Sequence, residues 1–337
     1  MSQTAKNELS QVAELLEKSN RVIISGHMLP DGDSLGSSLA LGLALEMAGK
    51  EVVVASPDPP PDVYRFMPGI ERVVLEPGQG PFDTFVAVDC SAPDRLGRFK
   101  SLMESAGVVI NIDHHTGTVP FGTCDYVDPG AAATGEILVD LLELMKVPIS
   151  LEIATCLYVA LVTDTGSFKY EQTTAGTHRR VARLLEQGVP AARLNTYLYD
   201  EKPLAAVRIL QVALESLQIS DCGRVAWIII ERNVLDKLGA SDQHTEGLIN
   251  YAREIQGVEV ALLFREISRG EFKVSFRSKG EVNVNELARK FGGGGHPRAA
   301  GCVMEGSLAG MVSLVVGMAQ TAARWDRKRG QPGTDVK

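Results

Sequence analysis

Histidine and aspartate gather in four short stretches of this 337-residue sequence. His27, Asp31 and Asp33 lie in HMLPDGDS and Asp89 in VDC; Asp113, His114 and His115 are consecutive in IDHHTGT, and Asp164 lies in TDTGSF. Three of the six histidines of the chain fall in these loops. Carboxylates crowded into one crevice raise each other's pKa unless cations lie between them. Two divalent ions would resolve that repulsion, and a mixed imidazole and carboxylate donor set suits manganese or a related ion. Ions roughly 3.5–4 Å apart can activate a bridging water and clamp the attacking and leaving oxygens of a phosphoryl displacement. The residue types therefore point to a two-metal hydrolase of phosphate esters or anhydrides. Each stretch alone has a plainer explanation, such as a turn at Asp-Gly or a loop at a helix end. Four of them, each at the end of an apolar run, do not.

The elements needed to bring them together are legible. RVIIS, EVVVAS, FVAVDC and VVINID read as short buried strands, and the last two end in Asp89 and Asp113. A helix is expected over 7–20, and a second from Ser34, as its cap, through LGSSLALGLALEMAG to Gly49. Further helical patterns cover 133–146, 151–163 and 175–187. Alternating strands and helices indicate a doubly wound α/β domain with a mainly parallel sheet, whose strand ends line the ligand crevice. Residues 191–220 read as a connecting helix, with one proline and no glycine between 191 and 218. A smaller α/β domain follows over 221–326: RVAWIIIE, a helix near 242–255, the strands VEVALLFREI and EFKVSFRS, the helix VNVNELARKF, the glycine run 292–295, a strand around AAGCVM and a last helix to about 325. Residues 327–337 form a polar tail.

Composition excludes several classes. A net charge of −8 gives no non-specific attraction to long nucleic acid, so a polyanionic substrate must be met locally, by metals or a few arginines. Five scattered cysteines without a CxxC pair argue against a disulfide framework and for a reducing compartment. The polar N-terminus is not a signal peptide, and MVSLVVGMA is far short of the roughly 18–20 residues that span a bilayer. A cytoplasmic protein with no membrane contact is expected.

HMLPDGDSLGS, VDC, IDHHTGT and TDTGSF, in this order and spacing, resemble the four motifs of the DHH phosphoesterase superfamily. GGGGHPRAAG at 292–301 resembles the signature of the DHHA1 domain that accompanies it. The resemblance spans roughly residues 8–325 and gives the assignments 1–190 for a metal-binding catalytic domain and 221–326 for a substrate-binding one. It implies one metal on His27, Asp31 and Asp89, and a second on Asp33, Asp89, His114 and Asp164, with Asp89 as the bridge. Asp113 would orient a ligand histidine, and His115 would face the substrate. Manganese is the implied ion, with magnesium or cobalt as alternatives.

The glycine run can bring backbone N–H groups close to an anion, with His296 and Arg298 as added donors. A glycine-rich turn before an edge strand is the competing explanation. Gly294, Gly295, His296, Arg298 and Arg277 are the candidate substrate-binding residues, in a cleft between the domains. Within the superfamily the chain is similar to the compact NrnA-type group, which cleaves short RNA to 5′-mononucleotides and removes the 3′-phosphate of adenosine 3′,5′-bisphosphate. The resemblance thus implies short RNA or nucleotide substrates. The alternatives are a dedicated bisphosphate nucleotide phosphatase, a cyclic-dinucleotide phosphodiesterase, or a nucleotide-binding regulator without chemistry. Homodimers are common among such enzymes, although no interface is legible here.

Overall fold

The computed structural model describes residues 3–78 and 81–325, so the polar tail over 327–337 lies outside the described residues. The chain divides into two compact units, one ending at Glu201 and the other beginning at Lys202.

In the first unit α1 (Gln3–Lys18) precedes β1 (Arg21–Ser25), α2 (Gly32–Met47), β2 (Glu51–Ala55), β3 (Thr84–Val88), α3 (Lys100–Ser105), β4 (Val108–Asp113) and β5 (Cys124–Val127). Then come α4 (Thr134–Leu144), α5 (Leu151–Asp164), α6 (Ala175–Glu186) and the short α7 (Ala191–Asn195). All five strands are parallel, in the order β2-β1-β3-β4-β5. Alternate strand residues face opposite sides. Val22, Ile24, Val86, Val88, Ile110 and Ile112 join the core under α2, α4 and α5, whereas Ile23, Phe85 and Ala87 join a second core with Leu96, Phe99 and Met103. Apolar side chains on both faces explain why these strands read as continuous apolar runs. β5, a four-residue strand with a polar middle, gave no such signal.

The chain leaves β1 for β2 on one side and returns to β3 on the other. The strand order therefore reverses between β1 and β3, the place where open α/β sheets bind ligands. His27 follows β1, and Asp89 follows β3. α2 is buried almost all round, a placement that suits its small and apolar residues, with Asp33, Ser34, Ser37 and Ser38 among the buried ones. It lies so close to α5 that a Cβ on Gly36 would come within 2.5 Å of the Cys156 carbonyl oxygen. That contact sets the start of α2, with Asp31 and Asp33, against the helix that ends in Asp164.

The expected cap of α2 is corrected. Asp31, not Ser34, is the N-cap, and its carboxylate accepts the Ser34 N–H at 3.0 Å. Both residue types cap well; the turn at Leu29-Pro30 settles which one leaves helical geometry first. The connecting helix over 191–220 is also corrected. After α7 and a π-helical turn at Thr196–Asp200 the chain is extended at Glu201, and α8 (Leu204–Glu215) begins after Pro203. Proline lacks an N–H and forces its predecessor out of helical conformation, so a continuous helix cannot pass it.

The second unit adds β6 (Gln218–Ile219), β7 (Val225–Ile230), α9 (Arg232–Lys237), α10 (Leu248–Glu254), β8 (Val260–Ser268) and β9 (Glu271–Ser278). It ends with α11 (Val284–Arg289), β10 (Gly294–His296), β11 (Ala299–Glu305) and α12 (Leu308–Trp325). Its sheet runs β10-β11-β9-β8-β7-β6, antiparallel except for β7 with β8. α11 and α12 cover one face, and α8, α9 and α10 the other. No helix among the described residues is long and apolar enough to cross a membrane.

Candidate active site

Five of the six residues expected to ligate metal are buried or half-buried, and Asp31 is exposed. They form two overlapping groups. His27, Asp31 and Asp89 offer one ligand atom each within 4.8 Å of one another, and so do Asp33, His114 and Asp164. Asp89 joins the groups: its Oδ2 lies 3.4 Å from His27 Nε2, and its Oδ1 3.5 Å from His114 Nε2. His114 Nε2 is also 3.3 Å from Asp164 and 3.8 Å from Asp33. His115 forms a further group with Asp89 and His114.

Local backbone structure holds each member. Asp89 has a left-handed φ of +58°, which aspartate tolerates better than most residues, and its N–H is tied to the Ile112 carbonyl on β4 at 2.9 Å. His27 and His114 each point Nδ1 at a backbone carbonyl: His27 at Met28 O, 2.7 Å away, and His114 at Ala131 O, 3.3 Å away. A proton on each Nδ1 leaves the Nε2 lone pair toward the carboxylates, the tautomer a metal needs. Asp113 holds His115, accepting its Nδ1–H at 2.7 Å, and also accepts the Thr118 hydroxyl. The ring Asp113 orients is therefore that of His115 and not that of a ligand histidine, and His114 depends on the Ala131 carbonyl instead.

Sequence reasoning missed the segment 131–136. The amides of Thr134 and Gly135 bind the two oxygens of Asp33 at 2.6 and 2.9 Å, and the Thr134 hydroxyl donates to Asp89 at 3.2 Å. AAATGE, straight after DPG and leading into a helix, is the only trace of this in the sequence. Sequence reading also passed over the turn behind Asp164. Gly166, Ser167 and Phe168 all have positive φ, and the Thr165 hydroxyl accepts the Phe168 N–H at 3.0 Å, fixing the end of α5.

The charges are strongly coupled. Burial alone would lower His27, but its hydrogen bonds to Asp31 and Asp89 and their attraction raise it to about 10. His114 is raised to about 10 against the same burial, by its bond to Asp89 and the attraction of Asp33, Asp89 and Asp164. Burial and the repulsion of Asp89 and Asp164 put Asp33 well above the carboxylate range. Burial also raises Asp164 to about 6; His114 opposes this, and Asp89 and Asp31 add to it. Burial pushes Asp89 up too, yet the bonds from His114 and His27 hold it below the usual range. This is a cluster in which cations, whether protons on imidazole or metal ions, balance buried carboxylates. Its hard oxygen and imidazole donors fit two divalent ions.

In the second unit the register puts His296, Ala299 and Arg277 in one row across β10, β11 and β9. The side chain of His296 lies outside the described residues. The Arg277 guanidinium reaches the Phe276 carbonyl at 3.0 Å, and Arg298 donates to the Gly280 carbonyl. The loop at Gly280 is organised by buried Glu259, which accepts the N–H groups of Gly280, Glu281 and Val282 at 2.7–3.0 Å. Gly294 and Gly295 belong to an edge strand and not to an open loop.

The parallel sheet, its switch point and the shared aspartate define a member of a known class. The DHH family N-terminal domain matches residues 21–161, and the DHHA1 domain matches 224–316. The chain belongs to the DHH family. It is 35% identical over 301 residues to the bifunctional oligoribonuclease and PAP phosphatase NrnA of Thermus thermophilus, covering 88% of each chain. Its fold matches the crystal structure of an exopolyphosphatase-related protein from Bacteroides fragilis with a TM-score of 0.87 and 26% identity, over 96% of this chain and 98% of that one. RecJ from Thermus thermophilus, solved in complex with Mn2+, shares the fold at a TM-score of 0.55 and 17% identity, over 98% of this chain and 56% of RecJ.

Proposed function

We propose that this chain is a two-metal phosphoesterase that hydrolyses short oligoribonucleotides, or linear dinucleotides, to 5′-mononucleotides and also removes the 3′-phosphate of adenosine 3′,5′-bisphosphate. The observation that carries this reading is Asp89, whose two oxygens face His27 on one side and His114 on the other. The similarity to the bifunctional oligoribonuclease and PAP phosphatase supports the substrate class. Two divalent ions, manganese in this reading, would be held by His27, Asp31 and Asp89 and by Asp33, Asp89, His114 and Asp164, and would supply a water of lowered pKa and neutralise phosphoryl charge.

The protein's own groups do the rest. Asp113 fixes the His115 ring, and its hydrogen bond raises the pKa of that imidazole, which favours the protonated form. We assign it to the phosphoryl group or the leaving oxygen. Arg277, Arg298, His296 and the backbone at Gly294 and Gly295 are assigned to the far end of a short substrate, which favours reaction at a chain end.

The test is product analysis with manganese as the only divalent metal. A 5′-phosphorylated RNA dinucleotide, adenosine 3′,5′-bisphosphate and pyrophosphate are supplied in parallel. Release of 5′-mononucleotide from the first, with slower orthophosphate release from the second, is expected. Orthophosphate from the bisphosphate alone would make the chain a dedicated phosphatase, and cleavage of pyrophosphate alone would overturn the role given to the second unit.

A further inference from the structure

Behind the segment 131–135 lies a half-buried ion network, with Glu136 at its buried end, that touches no candidate ligand. Glu136, 7% exposed on α4, accepts the Ala132 N–H at 3.1 Å and the Thr177 hydroxyl of α6 at 2.9 Å through Oε2. Its Oε1 accepts Arg180 Nη1 of α6 at 2.9 Å. The same guanidinium grips Asp140, one turn further along α4, through Nε at 2.9 Å and Nη2 at 2.5 Å. Buried Glu136 thus has one arginine contact and two further donors, and the fork of the same arginine on Asp140 fixes the guanidinium, so displacing Glu136 leaves a buried carboxylate short of partners.

That geometry has one visible output. Ala132, which Glu136 holds, lies between Ala131, whose carbonyl orients His114, and Thr134, whose amide and hydroxyl bind Asp33 and Asp89. Three candidate ligands thus lean on one short segment, and Glu136 with Arg180 anchors that segment to α6. We propose that Glu136 and Arg180 are positioning residues that set the affinity of the metal held by Asp33, Asp89, His114 and Asp164. The inference rests on the two-metal reading of the site. Partners bonded directly to a ligand commonly change metal affinity by roughly 10–100-fold when removed; Glu136 and Arg180 act one step further out, through the segment they hold, so a smaller effect is expected.

The experiment is a Mn2+ titration of the full chain, with free Mn2+ followed by electron paramagnetic resonance and melting in EDTA recorded for each variant. The wild type should bind two ions. Glu136→Gln should weaken one of them several-fold, up to about 10-fold, the lower end of the range for groups bonded directly to a ligand. Thr177→Val removes one bond to Glu136, together with the bond its hydroxyl accepts from the Thr174 N–H at the start of α6, and should act in the same direction by less, which keeps the test alive if Glu136→Gln does not fold. Arg183→Met is the control: it removes the neighbouring ion pair with Glu143 between the same two helices and should leave both affinities unchanged. Unchanged affinities in folded Glu136→Gln, or in Thr177→Val where Glu136→Gln does not fold, would overturn the inference. So would an equal loss in Arg183→Met, since any loosening of the helices would then suffice. A wild type that binds two Mn2+ and cleaves none of the three substrates would sink the proposed function alone; one that binds none would sink both.

Discussion

Asp89 and Gly295 both occupy left-handed backbone, at φ +58° and +145°, for opposite reasons. At Asp89 the turn serves a side chain: the carboxylate reaches His27 and His114 while the backbone stays tied to β4. At Gly295 it serves the absence of one, since a Cβ there would stand 2.5 Å from the Ala299 carbonyl oxygen. The first cluster is built from groups whose cost of burial is met only by cations or by each other. The glycine run is at least half explained by strand packing, because a Cβ on Gly293 would lie 2.1 Å from the Gly301 carbonyl oxygen. Convergent polar side chains are therefore a direct sign of chemistry. A glycine run is an ambiguous one, to be divided residue by residue.

The strongest way to break this contrast is at its centre. Asp89→Ala removes a carboxylate shared by both groups of candidate ligands. Turnover of an RNA dinucleotide should fall by at least roughly 10³-fold, about 4 kcal/mol of transition-state stabilisation. Bound Mn2+ should fall from two ions to one or none in the same titration. Wild-type turnover at ordinary metal concentrations would end the two-metal assignment.

Charge balance gives the next effect. With metal removed by EDTA, His27 and His114, raised from 6.5 to about 10, keep protons in the folded state that the unfolded chain releases. Their stabilisation is fully present below about pH 6.5 and is lost as pH rises toward 10. Asp164, raised from 3.8 to about 6, acts in the same direction at lower pH. The melting temperature in EDTA should fall between pH 6.5 and 10, and Mn2+ should raise it most at the alkaline end, where no proton competes. A melting temperature in EDTA that climbs over that interval would show that the imidazoles are not the counter-charges.

The contrast also explains what could be read in advance. The strands that His27 and Asp89 follow, and that Asp113 ends, were legible because burial on both faces leaves a bare apolar run. α5 was legible up to one residue short of Asp164 for a similar reason. The help that Ala131, Thr134 and Gly135 give to His114 and Asp33 was not, because it comes from backbone carbonyl and amide groups that any residue carries. The break at Pro203 and the cap at Asp31 lost out to longer patterns that pointed elsewhere. In both, a single local bond or a missing N–H outweighed the periodicity around it.

The smallest effects divide the glycine run itself. Gly293→Ala should destabilise the second unit by about 1–3 kcal/mol in urea unfolding, because backbone and the Cys302 Cβ, 2.5 Å away, leave the new methyl no room. Gly294→Ala meets nothing closer than the Asn285 side-chain oxygen at 3.9 Å, so its stability should change by less than about 0.5 kcal/mol. Any effect of Gly294→Ala on catalysis is therefore free of a folding defect. If the backbone there approaches a substrate phosphate, KM for the dinucleotide should rise several-fold with kcat held. An unchanged KM would mean that the whole run exists to close an edge strand, and that Arg277, His296 and Arg298 must carry recognition without it.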